Sequence, residues 1–368
     1  MLRRVEGGDV TLAPEGAAPL AWAAAHTPTA LWNDSADPEE LRRSISFGAV
    51  GATCNPVIAL TAIRSHPEVW TPRLRALAAE HPAWGESALG WAAVKELSVE
   101  AAKLLEPAFA ASGGRDGRLS IQTDPRLHRD VDALVAQAVE FSGLAENVIV
   151  KIPATASGIA AMEEAAYRGV SINATLSFTV PQAVAVGEAL ERALDRRSAE
   201  GLPDREFGHV VTIMGGRLDD WLKSWTAKHR MLTKPGTLDW AGVAALKKAY
   251  AVFRERGFRS RVLSAAFRNH LQWSELVGGD LVVSPPFDWQ DRIDANRIPV
   301  AVRIDEPVDA DILDELLALS EFRRAYDVHG MAPEEFAEFG AARITLRQFL
   351  DADAQLDALV RDVLVPAP

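Results

Sequence analysis

The sequence of 368 residues has very little cysteine, with Cys54 as its single thiol. One cysteine excludes an internal disulfide framework and any thiolate metal cluster, so a reducing compartment fits the chain. The eight histidines show no HExxH spacing, and we expect no bound metal. Nucleotide-binding loops are missing too, because the chain contains neither GxGxxG nor GxxxxGK[ST].

Long apolar stretches are also absent, since no uninterrupted run reaches the roughly 18 residues of a membrane-spanning helix. The first stretch, MLRRVEGGDVTLAPEG, has two arginines but lacks the apolar core of a secretory signal. The formal net charge of -12, without a basic stretch, argues against binding the phosphate backbone of nucleic acid. These absences predict a soluble, cytoplasmic protein without a membrane or nucleic-acid partner, in which a small anion could still be held locally.

What the chain does contain is a repeated alternation of strand and helix patterns. Eight short runs rich in β-branched residues predict strands at 30–35, 49–55, 118–123, 147–153, 170–176, 209–214, 261–267 and 280–285. Segments with helical periodicity, such as DVDALVAQAVEFSGL, fill most of the intervals. With 48% hydrophobic residues the chain can bury a large core. This order predicts an α/β fold, a parallel (β/α)8 TIM barrel, with an open doubly wound sheet as the alternative.

Two regions exceed what a barrel requires. The interval 56–116 is long for one crossover and predicts more than one helix after the second strand. The last 82 or so residues contain no clear strand and predict helices that pack on the barrel. We therefore expect a single domain, with an N-terminal extension (1–29), the barrel (30–286) and a C-terminal helical segment (287–368).

One lysine interrupts the strongly apolar run NVIVKIPA. Because successive side chains on a strand point to opposite faces, Val148, Val150 and Ile152 would face the outer helices. Ile149 and Lys151 would then face the barrel interior. The sequence thus places an amine inside an apolar ring.

Polar residues share the interior face of five other predicted strands by the same alternation. They are Asp34 beside Trp32, Thr53 and Asn55 beside Gly51, Ser120 with Gln122, Ser171 with Asn173 and Thr175, and Ser264 aligned with Ala266 and Arg268. All lie toward the carboxyl ends of their strands, which is the rim where barrel enzymes build active sites. Six strands are thus predicted to offer hydrophilic groups to one pocket.

A lysine in such a pocket has two interpretations. In the structural one, its stem packs in the core while its amine reaches water or pairs with an acid such as Asp34. In the catalytic one, desolvation lowers the pKa of the amine, and the neutral form attacks a ketone to give a Schiff base. The converging polar groups favour the second, because such an amine needs an acid/base, donors for substrate oxygens and a held water.

Two stretches resemble the transaldolase family of Schiff-base aldolases. LWNDSADPEELRRSISFGAVGATCNPVIAL resembles the family's first strand, first helix and TNP turn, and KIPAT followed by NATLSF resembles its central signature. The similarity covers roughly residues 30 to 290. It implies a barrel enzyme of the pentose phosphate pathway that moves a dihydroxyacetone unit between sugar phosphate substrates without a metal or organic cofactor.

The resemblance also implies roles for individual residues. Lys151 would form the iminium, and Asp34 would be the acid/base in carbon–carbon cleavage. Asn55 and Asn173 would bind the hydroxyls of the dihydroxyacetone unit. Thr175 would help to hold the catalytic water.

Arg217 and Arg268 match the family's two phosphate-binding arginines. Two guanidinium forks suit a phosphate dianion, whereas either arginine alone would more commonly pair with a surface carboxylate such as Asp219 or Glu275. The predicted substrate-binding set is then Thr53, Asn55, Asn173, Thr212, Met214, Arg217 and Arg268.

Three positions depart from the family pattern. Gln122 stands where transaldolases usually have glutamate, and a glutamine can position a water but cannot accept its proton. Fructose-6-phosphate aldolases also carry this glutamine but pair it with a tyrosine, where this chain has Met214. Ala266 replaces a phosphate-binding serine, which removes a hydrogen bond of about 0.5–1.5 kcal/mol.

These departures predict a slower or redirected transaldolase. The alternatives are an aldolase that releases free dihydroxyacetone or builds a specialised-metabolite sugar, and a catalytically silent barrel retained for binding. The ten tryptophans fall mostly in helical segments and indicate core and interface packing, so an exposed tryptophan face would support a homodimer. Cys54 alternates away from Asn55 and is predicted to pack outside the barrel.

Overall fold

Eight parallel strands close into a barrel in the computed structural model, which describes Pro14, residues 16–203 and residues 205–366. The strands are β1 (Ala30–Asn33), β2 (Ala49–Cys54), β3 (Arg118–Gln122), β4 (Val148–Pro153), β5 (Ile172–Thr175), β6 (Val210–Ile213), β7 (Arg261–Ala265) and β8 (Val282–Ser284). Each pairs with its successor and β8 pairs with β1, so the predicted barrel is confirmed over the open sheet. The described part of the chain excludes residues 1–13. These residues make up most of the stretch that argued against a secretory signal.

Helices alternate with the strands and add layers in the two predicted places. They are α1 (Pro19–His26), α2 (Pro38–Ser46), α3 (Pro56–Ser65), α4 (Pro67–Glu80), α5 (Glu86–Ala111), α6 (Val131–Ser142), α7 (Ala156–Tyr167), α8 (Val180–Ala199), α9 (Gly215–Lys228), α10 (Ala241–Arg256), α11 (Leu271–Ser274), α12 (Phe287–Ala295), α13 (Ala310–Leu317), α14 (Ser320–Tyr326) and α15 (Gly340–Leu364). The additional helices α3 to α5 and α12 to α15 confirm both predictions. Among the described residues, no helix has the length and apolar character needed to cross a membrane. The boundaries of the three predicted regions stay a prediction.

Side-chain caps start several helices directly after the strands. Asn55 accepts hydrogen bonds from the backbone N–H groups of Val57 and Ile58, and Pro56 takes the first position of α3. Thr155 and Thr179 cap α7 and α8 in the same way. Because each cap stops the strand and starts the helix within a few residues, it places strand ends and helix starts together at one rim.

Two apolar clusters lie on opposite sides of the strand ring. The interior cluster contains Trp32, Ile149, Val210, Leu263, Ala265 and Val282, from five different strands. Val148, Val150 and Ile152 belong instead to the larger cluster between strands and helices, as does Cys54. The alternation predicted for β4 is therefore confirmed, and it turns Lys151 inward with Ile149.

Trp32 occupies much of the space inside the ring. A Cβ at Gly51 would lie 2.3 Å from its indole Nε1, so only glycine fits opposite it. The indole is fully buried. It fills part of the barrel interior, together with the other side chains of the interior cluster.

Helix α15 lies along the rim side of the barrel. It packs against α3 and α9, which begin at the carboxyl ends of β2 and β6, and against α5. It also contacts the short 3₁₀ helix Pro125–Leu127 that follows β3. The C-terminal segment thus borders the mouth of the barrel.

Candidate active site

Three of the predicted site residues are direct neighbours on adjacent strands. Gln122 of β3 is in register with Lys151 of β4, and Lys151 is in register with Asn173 of β5. Adjacent strands lie about 4.8 Å apart, and residues in register on parallel strands point to the same face. The structure therefore sets an amide on each side of the lysine.

The Lys151 side chain is deeply buried. The residue is 3% exposed, and none of the described carboxylates forms an ion pair with its Nζ. Burial lowers the pKa of the Lys151 amine, the negative charge of Asp34 opposes this, and the positive charge of Arg217 adds to it. The neutral, nucleophilic form of the amine is therefore more populated than in an exposed lysine.

Asp34 follows β1 in a bend at the mouth and is partly exposed. Burial of its carboxyl group raises its pKa, and the positive charges of Lys151 and Arg217 act in the opposite direction. A more basic carboxylate near a less basic amine can exchange protons more readily than ordinary side chains.

A hydrogen-bond chain orients Asn173. Thr212 Oγ1 donates to Asn173 Oδ1 at 2.8 Å, and Asn173 Nδ2 donates to Ser120 Oγ at 2.9 Å. The amide is therefore fixed in one orientation, with one further lone pair and one further N–H left for a ligand. Thr212 was predicted to bind substrate, and in this structure its hydroxyl group donates to Asn173 instead.

Several buried polar atoms around the mouth have no partner among the described residues: Gln122 Oε1, Thr175 Oγ1, Ser284 Oγ and Arg217 Nε. Leaving a buried polar atom unpaired costs about 1–3 kcal/mol, so such a concentration needs an explanation. Polar ligands and water would satisfy these atoms.

Ser284 was missed in the sequence. It ends β8 and alternates with Val282, which belongs to the interior cluster, so its hydroxyl faces inward. The sequence pattern could have identified Ser284, because side-chain alternation in DLVVSP places it on the interior face with Val282.

At β2 the two predicted residues have different environments. Thr53 is buried between the outward-facing Ala52 and Cys54. Asn55 lies at the rim, where its Oδ1 is already used in capping α3. Only its Nδ2 remains to contact a ligand.

The prediction for β7 was wrong. Leu263 and Ala265 face the interior, while Ser264 Oγ donates to the carbonyl of Gln272 at 3.0 Å on the outside. The strand ends at Ala265, and Ala266 has a φ of 60°, so the two-residue alternation does not continue. Ser264 therefore offers no hydroxyl to the pocket.

The two arginines lie close together at the start of α9. Arg217 is in its first turn, and the positive charge of Arg268 together with burial lowers the Arg217 pKa. Arg268 is exposed and donates from Nε to Asp220 at 2.8 Å. The carboxylates considered from the sequence, Asp219 and Glu275, bind elsewhere. Two guanidinium groups beside a helix N-terminus suit an anion.

Met214 follows β6 and is buried against the outer core, at the position before α9. Its thioether can act neither as acid nor as base. Burial raises the pKa of the Cys54 thiol to about 11, so no thiolate is available there. Lys151 and Asp34 are therefore the groups best suited to chemistry at the mouth.

A groove of about 1180 Å³ lies elsewhere, between α2, α4 and α5, and Trp70 and Arg73 are among its lining residues. It contains none of the predicted site residues. Lys151, Asp34 and Arg217, whose pKa values are shifted by burial and by one another's charges, lie instead at the barrel mouth.

The family model described as transaldolase/fructose-6-phosphate aldolase matches residues 31–338. The chain belongs to this family. The resemblance seen in the sequence is thereby confirmed, and all predicted site residues lie within the matched part.

Named relatives agree with the family model. A transaldolase of Methylibium petroleiphilum is 30% identical over 338 residues, which are 89% of this chain and 95% of the relative. A transaldolase of Chlamydia pneumoniae is 29% identical over 316 residues, covering 83% and 86%. Transaldolase 1 of Streptomyces avermitilis is 33% identical over 212 residues, which are 56% of this chain but only 54% of that protein.

Proposed function

We propose that the protein transfers a dihydroxyacetone unit from a ketose phosphate to an aldose phosphate through a Schiff base on Lys151. The observation that carries the proposal is the buried Lys151 amine, which lies between Gln122 and Asn173 and forms no ion pair with any described residue. Family membership supports the same reaction class.

In the donor half-reaction, the neutral amine attacks the C2 carbonyl of the ketose and water leaves, which gives an iminium ion. Asp34 takes the proton of the C4 hydroxyl as the C3–C4 bond breaks. The bonding electrons move to the iminium nitrogen, so an enamine remains on Lys151 and an aldose phosphate departs.

In the acceptor half-reaction, the enamine carbon attacks the aldehyde of a second aldose phosphate. Asp34 returns its proton to the new hydroxyl oxygen, and water hydrolyses the iminium to release the product ketose and the free amine. Gln122 Oε1 and Thr175 Oγ1, both buried and unpartnered, are suited to hold this water. Arg217 and Arg268 would bind the substrate phosphate.

Borohydride trapping tests the proposal. The protein incubated with fructose 6-phosphate and borohydride should gain the mass of a reduced three-carbon adduct, located at Lys151 by peptide mass spectrometry. In a separate incubation without borohydride, erythrose 4-phosphate should accept the unit from the unreduced enamine and form a new ketose phosphate. The absence of any adduct would contradict the proposal and leave a silent binding barrel.

A second candidate is an aldolase that releases free dihydroxyacetone, and Gln122 favours it. A glutamine cannot accept the proton of the hydrolytic water as a glutamate can, so a different group would have to accept it. Free dihydroxyacetone accumulating without an acceptor, with no ketose phosphate when erythrose 4-phosphate is added, would identify this activity.

A further inference from the structure

Helix α15 is fixed on both sides of the barrel mouth. Near its start, Gly340 packs so closely on Trp221 of α9 that an added Cβ would lie 2.1 Å from the indole. Further along, Asp353 accepts from Trp91 Nε1 at 3.1 Å and lies 3.1 Å from Nε of Arg126, beyond β3. The 25-residue helix, about 37 Å long, is thus tied to elements on two sides of the rim.

Between these attachments, Gln348 contacts a predicted phosphate-binding arginine. Its Oε1 accepts a hydrogen bond from the NH1 group of Arg217. The Nε of Arg217 is buried and has no partner among the described residues. One end of the guanidinium group is therefore held by α15, and donors on the rest of the group stay available.

A neutral amide is better suited than a carboxylate to restrain Arg217. Arg217 is repelled by Arg268, and a free arginine side chain has about 2 kcal/mol of rotamer entropy to lose on binding. A neutral amide oxygen restrains the side chain and leaves its full positive charge to an anion. Arg268, by contrast, already shares its charge with Asp220.

We infer that Gln348 is a positioning residue that holds Arg217 ready for the phosphate group of the substrate, an inference that rests on the proposed function. It lies beyond the residues matched by the family model, which end at 338. Through this contact the C-terminal helix contributes to the preference of the barrel for phosphorylated over unphosphorylated sugars.

The same helix offers a matched control. Gln355 Oε1 accepts from Arg64 NH1 at 3.0 Å, an exposed glutamine–arginine contact between α15 and α3. Neither residue is among the predicted site residues. Gln348→Met and Gln355→Met remove the same amide acceptor from the same helix, and each keeps the side-chain volume similar.

Two measurements test the inference. Calorimetric titration with inorganic phosphate should show roughly 2- to 10-fold weaker binding for Gln348→Met than for Gln355→Met, as expected for one net hydrogen bond. The ratio of kcat/KM for fructose 6-phosphate to that for fructose should fall by a similar factor, through KM. Gln348→Glu should weaken phosphate binding further, because its carboxylate competes for Arg217.

Equal phosphate affinities for the two methionine variants, tighter binding by Gln348→Glu, or no phosphate binding by the unmodified protein would each overturn the inference. Borohydride trapping tests the Schiff-base reaction separately from the role of Gln348 in phosphate binding. If trapping on Lys151 fails but the phosphate affinities follow the predicted order, the Schiff-base proposal is lost and the role of Gln348 is retained.

Discussion

Two lysines are buried in the part of the chain that the structure describes, and their surroundings differ. Lys247 on α10 is 9% exposed, and its Nζ donates to the carbonyls of Arg303 at 2.8 Å and Glu306 at 2.7 Å. It also lies 3.3 Å from Glu275. Lys151 is more deeply buried, yet none of the described carboxylates pairs with it. Burial lowers the pKa of both amines, so the direction of the shift does not distinguish them.

The difference lies in the partners. At Lys247 all three donors of the ammonium group have acceptors, so the charge is compensated and joins α10 to the C-terminal segment. At Lys151 the nearby polar groups are amides and hydroxyls that are themselves partly unsatisfied. The first arrangement stabilises the fold, and the second is the one that the proposed Schiff-base chemistry requires of its amine.

The largest effect is expected from Lys151→Met. Removing the nucleophile should abolish the borohydride adduct and lower turnover on the order of 10⁴-fold or more. The free energy of unfolding, measured by urea denaturation, should stay the same or rise, because an uncompensated buried amine is removed. Marked destabilisation by this variant would contradict the comparison of the two lysines.

Lys247→Met should have the opposite profile. It leaves two carbonyls and part of the Glu275 carboxylate without a donor, so the free energy of unfolding should fall by about 2–4 kcal/mol. Glu275 keeps Arg303, at 3.1 Å, which limits the loss. At a temperature where the variant is folded, trapping on Lys151 should proceed at the unmodified rate, and a loss of trapping there would contradict a purely structural role.

Gln122→Glu tests whether the amide beside Lys151 limits the reaction. If the pocket runs ordinary transaldolase chemistry slowly, a carboxylate able to accept the proton of the hydrolytic water should raise turnover about tenfold. Steady-state rates with fructose 6-phosphate and erythrose 4-phosphate measure this. No rise, or a loss, would show that the pocket is built around the amide.

The smallest effect concerns the pH dependence of the amine. The Asp34 charge raises the pKa of Lys151 and the Arg217 charge lowers it, so Asp34→Asn should lower this pKa and Arg217→Met should raise it. The pH midpoint for reductive methylation of Lys151 by formaldehyde, followed by peptide mass spectrometry, should move a few tenths of a unit in opposite directions. Lys247, in the same digests, should keep its midpoint. Shifts of the same sign in both variants would rule out this electrostatic account.

The sequence predicted much of the site because strand alternation is a local property. The inward direction of Lys151, Gln122 and Asn173 required only the strand assignments, whereas their alignment with one another came from the register of the three strands in the structure. The same rule failed at β7, where Ala266 adopts a left-handed conformation that no residue type in SAAFRN indicates. The sequence also indicated a second role for Asn55, because an asparagine before proline is typical of a helix N-cap. Its side-chain oxygen is used in that cap, which leaves its amide N–H group for a ligand.

Contacts between distant segments could not be predicted in this way. Gln348 lies 131 positions from Arg217, and nothing in the periodicity of LRQFLDADAQLDALVRDVL distinguishes it from Gln355. The chain of Thr212, Asn173 and Ser120 likewise depends on how three strands are staggered around the ring.

By itself the sequence determined the order of strands and helices, the inward face of most strands and the family, because each follows from short-range geometry or from continuous motifs. Only the tertiary structure decided which buried amine is compensated and which is free. Whether an ammonium finds acceptors depends on segments brought to it by folding, as Glu275 and the Arg303 carbonyl are brought to Lys247. No such segment of the described chain reaches Lys151, because the surrounding strands turn an apolar cluster and polar amides toward it.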